Sequence, residues 1–241
     1  VSRVGTGAAV LAGTLAVHAA PALTGVLPLR RRLLPGLAGV GAAGHVALTF
    51  DDGPDRTSTP RFLDALARAR VRATFFLLGS MLARDPGLGR EIVAAGHEVG
   101  VHGWRHRNLL WRPPWATYAD IARARDRIAE VTGAAPRWYR PPYGALTAAA
   151  VVTCRRLDLT PVLWTAWGRD WVAGATPEQI RATLARTLAG GGTVLLHDAD
   201  CASSPQAWRG TLGALPLLVD WARERGLTLG PLGAHSLPTG P

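Results

Sequence analysis

Seven short apolar runs, spaced by segments of helical character, are what most constrain the fold of this chain. The runs are 46–50, 73–78, 98–101, 138–140, 161–165, 193–196 and 227–229. Helical segments are expected between them at 61–69, 81–95, 118–131, 147–157, 177–188 and 212–225. Ser58 or Thr59 before Pro60, and Thr176 before Pro177, are suitable helix starts, while Gly96, Gly133 and Gly226 stand where helices should stop. In the third helical segment Ile121, Ala122, Ile128 and Ala129 share one face, with Arg123, Arg127 and Glu130 pointing away. Strands alternating with helices imply parallel pairing through right-handed crossovers, hence an α/β barrel-like fold. At 241 residues and 48% apolar content, with 28 Gly and 18 Pro, the chain can bury one good core and turn often.

In such barrels functional groups gather at the carboxyl ends of the strands. Those ends read, in order, Asp51-Asp52, "HGWRH" from His102, "RPPYG" from Arg140, "WGRDW" ending at Trp171, and "LLHD" from Leu195. The first pair closes an apolar run and is followed at once by Gly53-Pro54. Successive strand residues face opposite ways, so a turn at Gly53-Pro54 is needed to bring both carboxylates to one site. One could then ligate a cation while the other takes a proton; the plain alternative is an Asp-capped turn. His102 and His106 with Asp52 make a three-ligand set with an open position, the pattern of a catalytic zinc. Arg140 could pair with Asp51 and hold it ionised, or be a surface arginine before a Pro-rich loop. His197 beside Asp170 could be kept protonated as a general acid; by itself it would be a structural histidine.

The ordered set "TFDDGP", "HGWRH", "RPPYG", "RDW" and "LLHD" resembles the five motifs of the polysaccharide deacetylase family, the NodB-type domain of carbohydrate esterase family 4, over residues 45–230. The resemblance implies a distorted (β/α)7 barrel and a metal-dependent hydrolase of carbon–nitrogen amide bonds. It would remove N-acetyl groups from N-acetylglucosamine units of a cell-envelope polysaccharide, peptidoglycan or chitin-like. It implies Asp51 as base, Asp52, His102 and His106 as metal ligands, Arg140 orienting Asp51, and Asp170 tuning the acid His197. The backbone N–H of Tyr143 would bind the oxyanion and Leu195 would line the acetyl pocket. The metal implied is zinc, with cobalt or another divalent ion as alternative. Two positions depart from the pattern. Gly103 stands where Ser or Thr is usual, which touches a loop-bracing hydrogen bond, and Trp167 replaces an acidic residue, which touches the positioning of its loop.

Of nine tryptophans, Trp104, Trp111, Trp115, Trp167 and Trp171 fall in the expected rim loops, and Trp171 is the one expected to touch a sugar. The formal charge is +10, yet all 27 basic residues are scattered arginines, so no nucleic-acid partner is expected. Residues 4–29 lack Asp, Glu, Lys and Arg, and a bilayer span needs about 20 apolar residues. This stretch reads as a transmembrane anchor, a signal segment or a helical leader packed on the domain, with membrane association favoured and topology open. The expected organisation is an anchor or signal segment over 1–29, a basic, Gly-rich linker over 30–44, the catalytic domain over 45–230 and a loose tail over 231–241. A monomer at the membrane or cell envelope is expected, its partner an N-acetylated glycan. Two rival readings are a deformylase or deacetylase of a lipid-linked sugar and a catalytically inactive carbohydrate-binding homologue. Cys154 and Cys201 match no metal spacing, and their pairing is left open.

Overall fold

A computed structural model describes residues 12–25 and 27–238. Its centre is a parallel sheet of β1 (His45–Asp51), β2 (Thr74–Leu77), β3 (Glu98–Val101), β4 (Trp138–Tyr139), β5 (Thr160–Pro161), β6 (Ala166–Trp167), β7 (Thr193–His197) and β8 (Thr228–Gly230). The path runs β5-β4-β3-β2-β1-β7-β6, and β8 pairs with β1 off that path. β8 lies along His45–Ala47, the first half of β1, whereas β2 pairs with Thr49–Asp51 in the second half. This is the expected distorted barrel, curled but open between β5 and β6.

Every residue of β1 is buried, as a central strand of a parallel sheet covered on both faces should be. Phe50 has no exposed surface, and its ring lies 5.2 Å from that of Phe62 and 5.1 Å from that of Phe75. Surrounding helices seal the outer face. Phe62 and Leu66 come from Thr59–Ala69, Ile121, Ala124 and Ile128 from Pro114–Thr132, and Leu215, Leu218 and Trp221 from Trp208–Glu224. Register then does the positioning. Asp51 pairs with His197 on β7 and with Phe76 on β2, while Leu77 pairs with Val101. The carboxyl ends of β1, β2, β3 and β7 therefore finish at one level.

Several expected boundaries are corrected. The helix expected over 81–95 divides into Gly79–Arg84 and Pro86–Ala94, because Pro86 cannot donate to the preceding turn. Asp85 instead caps the second helix, accepting from the Leu88 N–H. The last helix continues through Pro216 and begins at Trp208, earlier than expected. β6 was not expected; it is two residues long and is defined only by its pairing with β7. Residues 30–44, expected as a linker, lie against the barrel, with Arg30 and Ala38 buried. The expected loose tail packs too: Leu232 and His235 are buried, and the His235 Nδ1 lies 2.8 Å from the Nδ1 of His45.

Of the expected span over 4–29, residues 4–11 and 26 lie outside the described residues. Residues 12–19 are helical and Ala20–Gly25 form a 3-10 helix around Pro21. Among the described residues no helix is long and apolar enough to cross a membrane. Cys154 and Cys201 are both free, the first buried and the second exposed.

Phe50→Ala should lower the unfolding free energy by about 3–5 kcal/mol, since the surrounding rings cannot close over the lost volume. Urea unfolding of the variant beside the parent chain checks this.

Candidate active site

The two carboxylates reach one site by a different device from the one expected. Asp52 itself adopts a left-handed backbone, φ 78°, which breaks the strand alternation immediately after β1. For a residue with a Cβ this conformation costs on the order of 1 kcal/mol, and it turns Asp52 to the same rim as Asp51. Gly53 follows because nothing larger fits: a Cβ there would sit 2.5 Å from a carboxylate oxygen of Asp198.

Asp51 is held from below. Arg140, with no exposed surface, donates from Nη1 to the Asp51 carboxylate at 2.8 Å and to the Thr49 hydroxyl at 2.6 Å. Its remaining donors go to the carbonyls of Val162 and Leu163. Burial raises the Asp51 pKa, and the Arg140 charge and hydrogen bond oppose that rise.

His102 follows β3 directly, and its Nδ1 is 2.8 Å from the Arg140 carbonyl. A carbonyl can only accept, so Nδ1 carries the proton and Nε2 is left free. That Nε2 lies 3.5 Å from an Asp52 oxygen, and the His106 Nε2 lies 3.5 Å from the same oxygen. The Gly103 departure now has a structural meaning. Its φ is +91°, and a Cβ would meet an Asp120 oxygen at 2.8 Å. That same Asp120 oxygen accepts from the Trp104 N–H at 2.8 Å, so the loop is braced from the neighbouring helix.

The Asp52, His102 and His106 ligand atoms lie within 4.8 Å of one another. Both Asp52 oxygens are buried without a hydrogen-bond partner. Burial pushes the His102 and His106 pKa values down to about 3 and the Asp52 pKa up to about 7. Two neutral imidazoles and a carboxylate with unmet lone pairs fit a divalent cation: the set lacks positive charge, and its donors already converge.

His197, at the end of β7, has the opposite electrostatics. Asp170 accepts from its backbone N–H at 2.7 Å and lies 3.0 Å from its Nδ1, and Thr211 bonds Asp170 at 2.9 Å. Burial disfavours the charged ring, but Asp170, then Asp52 and Asp51, outweigh it and lift the pKa to about 10. A pKa that high favours the protonated, charged ring at neutral pH on a side chain that is only partly exposed.

Asp51, Asp52, His102, His106 and His197 line a cavity of about 270 Å³, and Tyr143, Leu195 and Trp171 form part of its wall. Tyr143 has a left-handed backbone, φ 59°, and its ring meets the His106 ring edge-on at 4.4 Å. The turn's own bonds run from the Gly144 and Ala145 N–H groups to Pro141 and Pro142, leaving the Tyr143 N–H out of them. Trp171 stands edge-on to His197 at 5.8 Å, and Trp167 packs against it at 5.2 Å. Trp104 is not in this wall: it lies under the Arg123 guanidinium at 3.6 Å, and Trp111 and Trp115 are exposed outside the cavity. Sequence reasoning missed Trp164, Thr49, Thr211 and Asp120. Thr49 was readable, two residues before Asp51 and hence on the same strand face. The contacts of Thr211 and Asp120 are made across 41 and 16 residues of chain, without a local signal.

Comparison with known proteins agrees with this geometry. Residues 39–162 match the family model described as polysaccharide deacetylase. The chain is 35% identical over 204 residues to the chitooligosaccharide deacetylase of Bradyrhizobium, covering 80% of this chain and 91% of that one. It is 36% identical over 157 residues to the peptidoglycan-N-acetylglucosamine deacetylase of Listeria monocytogenes, covering 64% of this chain but only 32%, about a third, of that relative's length. Among solved structures it resembles a family 4 carbohydrate esterase from Streptomyces lividans in complex with acetate, at a TM-score of 0.71 and 31% identity, covering 83% of this chain and all of that one. This chain belongs to the polysaccharide deacetylase family. Asp170 and His197 lie beyond the matched residues, and the sheet register brings them in.

Asp170→Asn should make His197 titrate below its ordinary value, because burial then acts without its main counter-charge. NMR titration of the ring in metal-free protein reads this directly. The His197 pKa is raised on folding, so its contribution to stability is full below about 6.5 and fades as pH rises through about 10. The Asp170→Asn penalty should accordingly be larger at pH 6 than at pH 10.5, and an equal penalty at both would contradict the ion pair.

Proposed function

We propose that this chain is a metal-dependent hydrolase that removes N-acetyl groups from N-acetylglucosamine units of a cell-envelope polysaccharide, peptidoglycan or chitin-like. The observation that carries the reading is the pairing of Asp51 with His197 in register across β1 and β7, beside an unpartnered Asp52 and two neutral histidines in one cavity. A carboxylate poised to take a proton and an imidazolium poised to give one are what amide hydrolysis requires.

Asp52, His102 and His106 would hold the cation, and the two-imidazole, one-carboxylate set suits zinc. When bound, such an ion supplies Lewis acidity toward the acyl carbonyl and lowers the pKa of coordinated water to about 7. The chain's own groups perform the proton transfers. Asp51, aimed by Arg140, takes the proton of the attacking water. His197, kept charged by Asp170, protonates the amide nitrogen, which is a poor leaving group until then. The Tyr143 N–H, free of turn bonds, donates to the oxyanion. Leu195 offers an apolar wall to the acetyl methyl, and Trp171 offers a face for a sugar ring. The products are acetate and a glucosamine amine. The names of the Bradyrhizobium and Listeria relatives support the substrate class, and an envelope location follows from a polymeric wall substrate. Convergence of all the titratable groups needed for turnover argues against an inactive homologue.

Zinc-loaded protein should release acetate from N-acetylglucosamine oligomers or peptidoglycan and leave free amines. Asp52→Ala should lose both turnover and its one ion per chain, read by metal analysis after dialysis. Asp51→Asn should keep the ion while kcat falls about 10²–10⁴-fold. An Asp52→Ala protein that retains one tightly held ion would refute the ligand assignment.

A further inference from the structure

The sheet is open between β5 and β6, and residues 162–165 cross that gap. Their backbone polar groups are buried or half-buried and need partners. On the inner side, Arg140 donates from Nε to the Val162 carbonyl at 3.3 Å and from Nη2 to the Leu163 carbonyl at 2.9 Å. At the two ends of the stretch the Val162 N–H donates to the Tyr139 carbonyl at 2.9 Å and the Thr165 N–H to the Thr193 carbonyl at 3.0 Å, while further partners come from the segment preceding β1. The Leu163 N–H donates to the Leu37 carbonyl at 2.8 Å. Arg30 donates to the Trp164 carbonyl and Arg31 to the Thr165 carbonyl, each at 2.6 Å. Thr193, opening β7, donates its hydroxyl to the Gly39 carbonyl at 2.7 Å.

Arg30 is the unusual member. It is 4% exposed, and among the described residues its hydrogen bonds go to carbonyls, those of Trp164 and Thr24, with no carboxylate in an ion pair with it. A buried guanidinium held only by carbonyl dipoles is expensive to keep. What it secures is the peptide that carries Trp164. The Trp164 ring lines the catalytic cavity, with the Arg30 and Arg140 guanidinium carbons each 5.9 Å from its centroid. One four-residue stretch is thus gripped by Arg30 and Arg31 from outside and grips Arg140 from inside.

We propose that Arg30 and Arg31, ahead of the barrel's first strand, are positioning residues for the active site: they fix the 162–165 stretch against which Arg140 and the Trp164 wall are set. The segment before β1 then belongs to the catalytic unit, closing its open seam, and is not a spacer. The effect on turnover rests on the hydrolase reading above, whereas the bracing itself does not.

The test uses the full chain carrying Arg30→Ala or Arg31→Ala, with Arg30→Lys as the conservative partner. Hydrogen exchange at the Leu163 amide, which donates to Leu37, should quicken at least tenfold in the alanine variants, while β2 and β3 stay protected, and Arg30→Lys should recover part of the protection. With zinc saturating and one ion per chain retained, kcat should fall at least tenfold well below the melting temperature. Should Arg30→Ala fail to fold, Arg31→Ala, whose side chain is partly exposed, carries the same comparison. Unchanged exchange at Leu163 would overturn the proposal, and so would quickened exchange with kcat intact. A parent chain that holds its ion but turns over no N-acetylated glycan, yet shows variant-dependent exchange at the Leu163 amide, would refute the hydrolase reading and support the bracing.

Discussion

Beneath the site lies a guanidinium with no exposed surface, and its neighbours are the parts of the site itself. Arg140 meets the Asp51 carboxylate and the Thr49 hydroxyl with one nitrogen and two carbonyls of the 162–165 stretch with the others, while its own carbonyl accepts from His102. Removing one partner of such a buried pair typically costs about 3–5 kcal/mol, since the charge left behind has no solvent. The proposed base, a proposed metal ligand and the seam of the barrel are therefore coupled through a single residue. Its planar fork makes this arrangement specific to arginine, because a lysine could not serve four acceptors in fixed directions.

The charges of the site are sorted by their surroundings. Asp51 sits against one cation, and His197 becomes another because Asp170 outweighs its burial. Burial drives the Asp52 pKa up against the nearby His197 charge, and the adjacent imidazoles are driven neutral. A divalent ion in that corner would restore the ionised carboxylate and suit imidazoles that are already unprotonated. The proposed acid, base and ligand roles thus fall to groups only a few ångströms apart, each with different neighbours.

Much of this was legible in the sequence, for identifiable reasons. Val46–Phe50 is a continuous apolar run, so a buried parallel strand followed, and its carboxyl end located the site. Two features escaped because they depend on pairing and not on pattern. β6 is two residues long, and residues 162–165, expected as strand, bond the neighbouring strands at Val162 and Thr165 and are otherwise held by side chains and by the preceding segment. The left-handed backbone of Asp52 was also invisible, since the neighbouring Gly53-Pro54 looked sufficient for the turn. Residues 30–44 read as a linker from their three arginines and scattered glycines, and 231–241 as a tail from their short, Pro- and Gly-interrupted sequence. Yet Ala38, Leu232 and His235 bury themselves at contacts made far along the chain, which local composition does not report.

The central claim is that Asp52, His102 and His106 share one cation in the cavity flanked by Asp51 and His197. Anomalous diffraction at the zinc edge from crystals of zinc-loaded protein tests it most directly. A single strong peak bounded by the Asp52 carboxylate and the two Nε2 atoms is the predicted result. A peak elsewhere, or none at that corner with zinc in excess, would contradict the account.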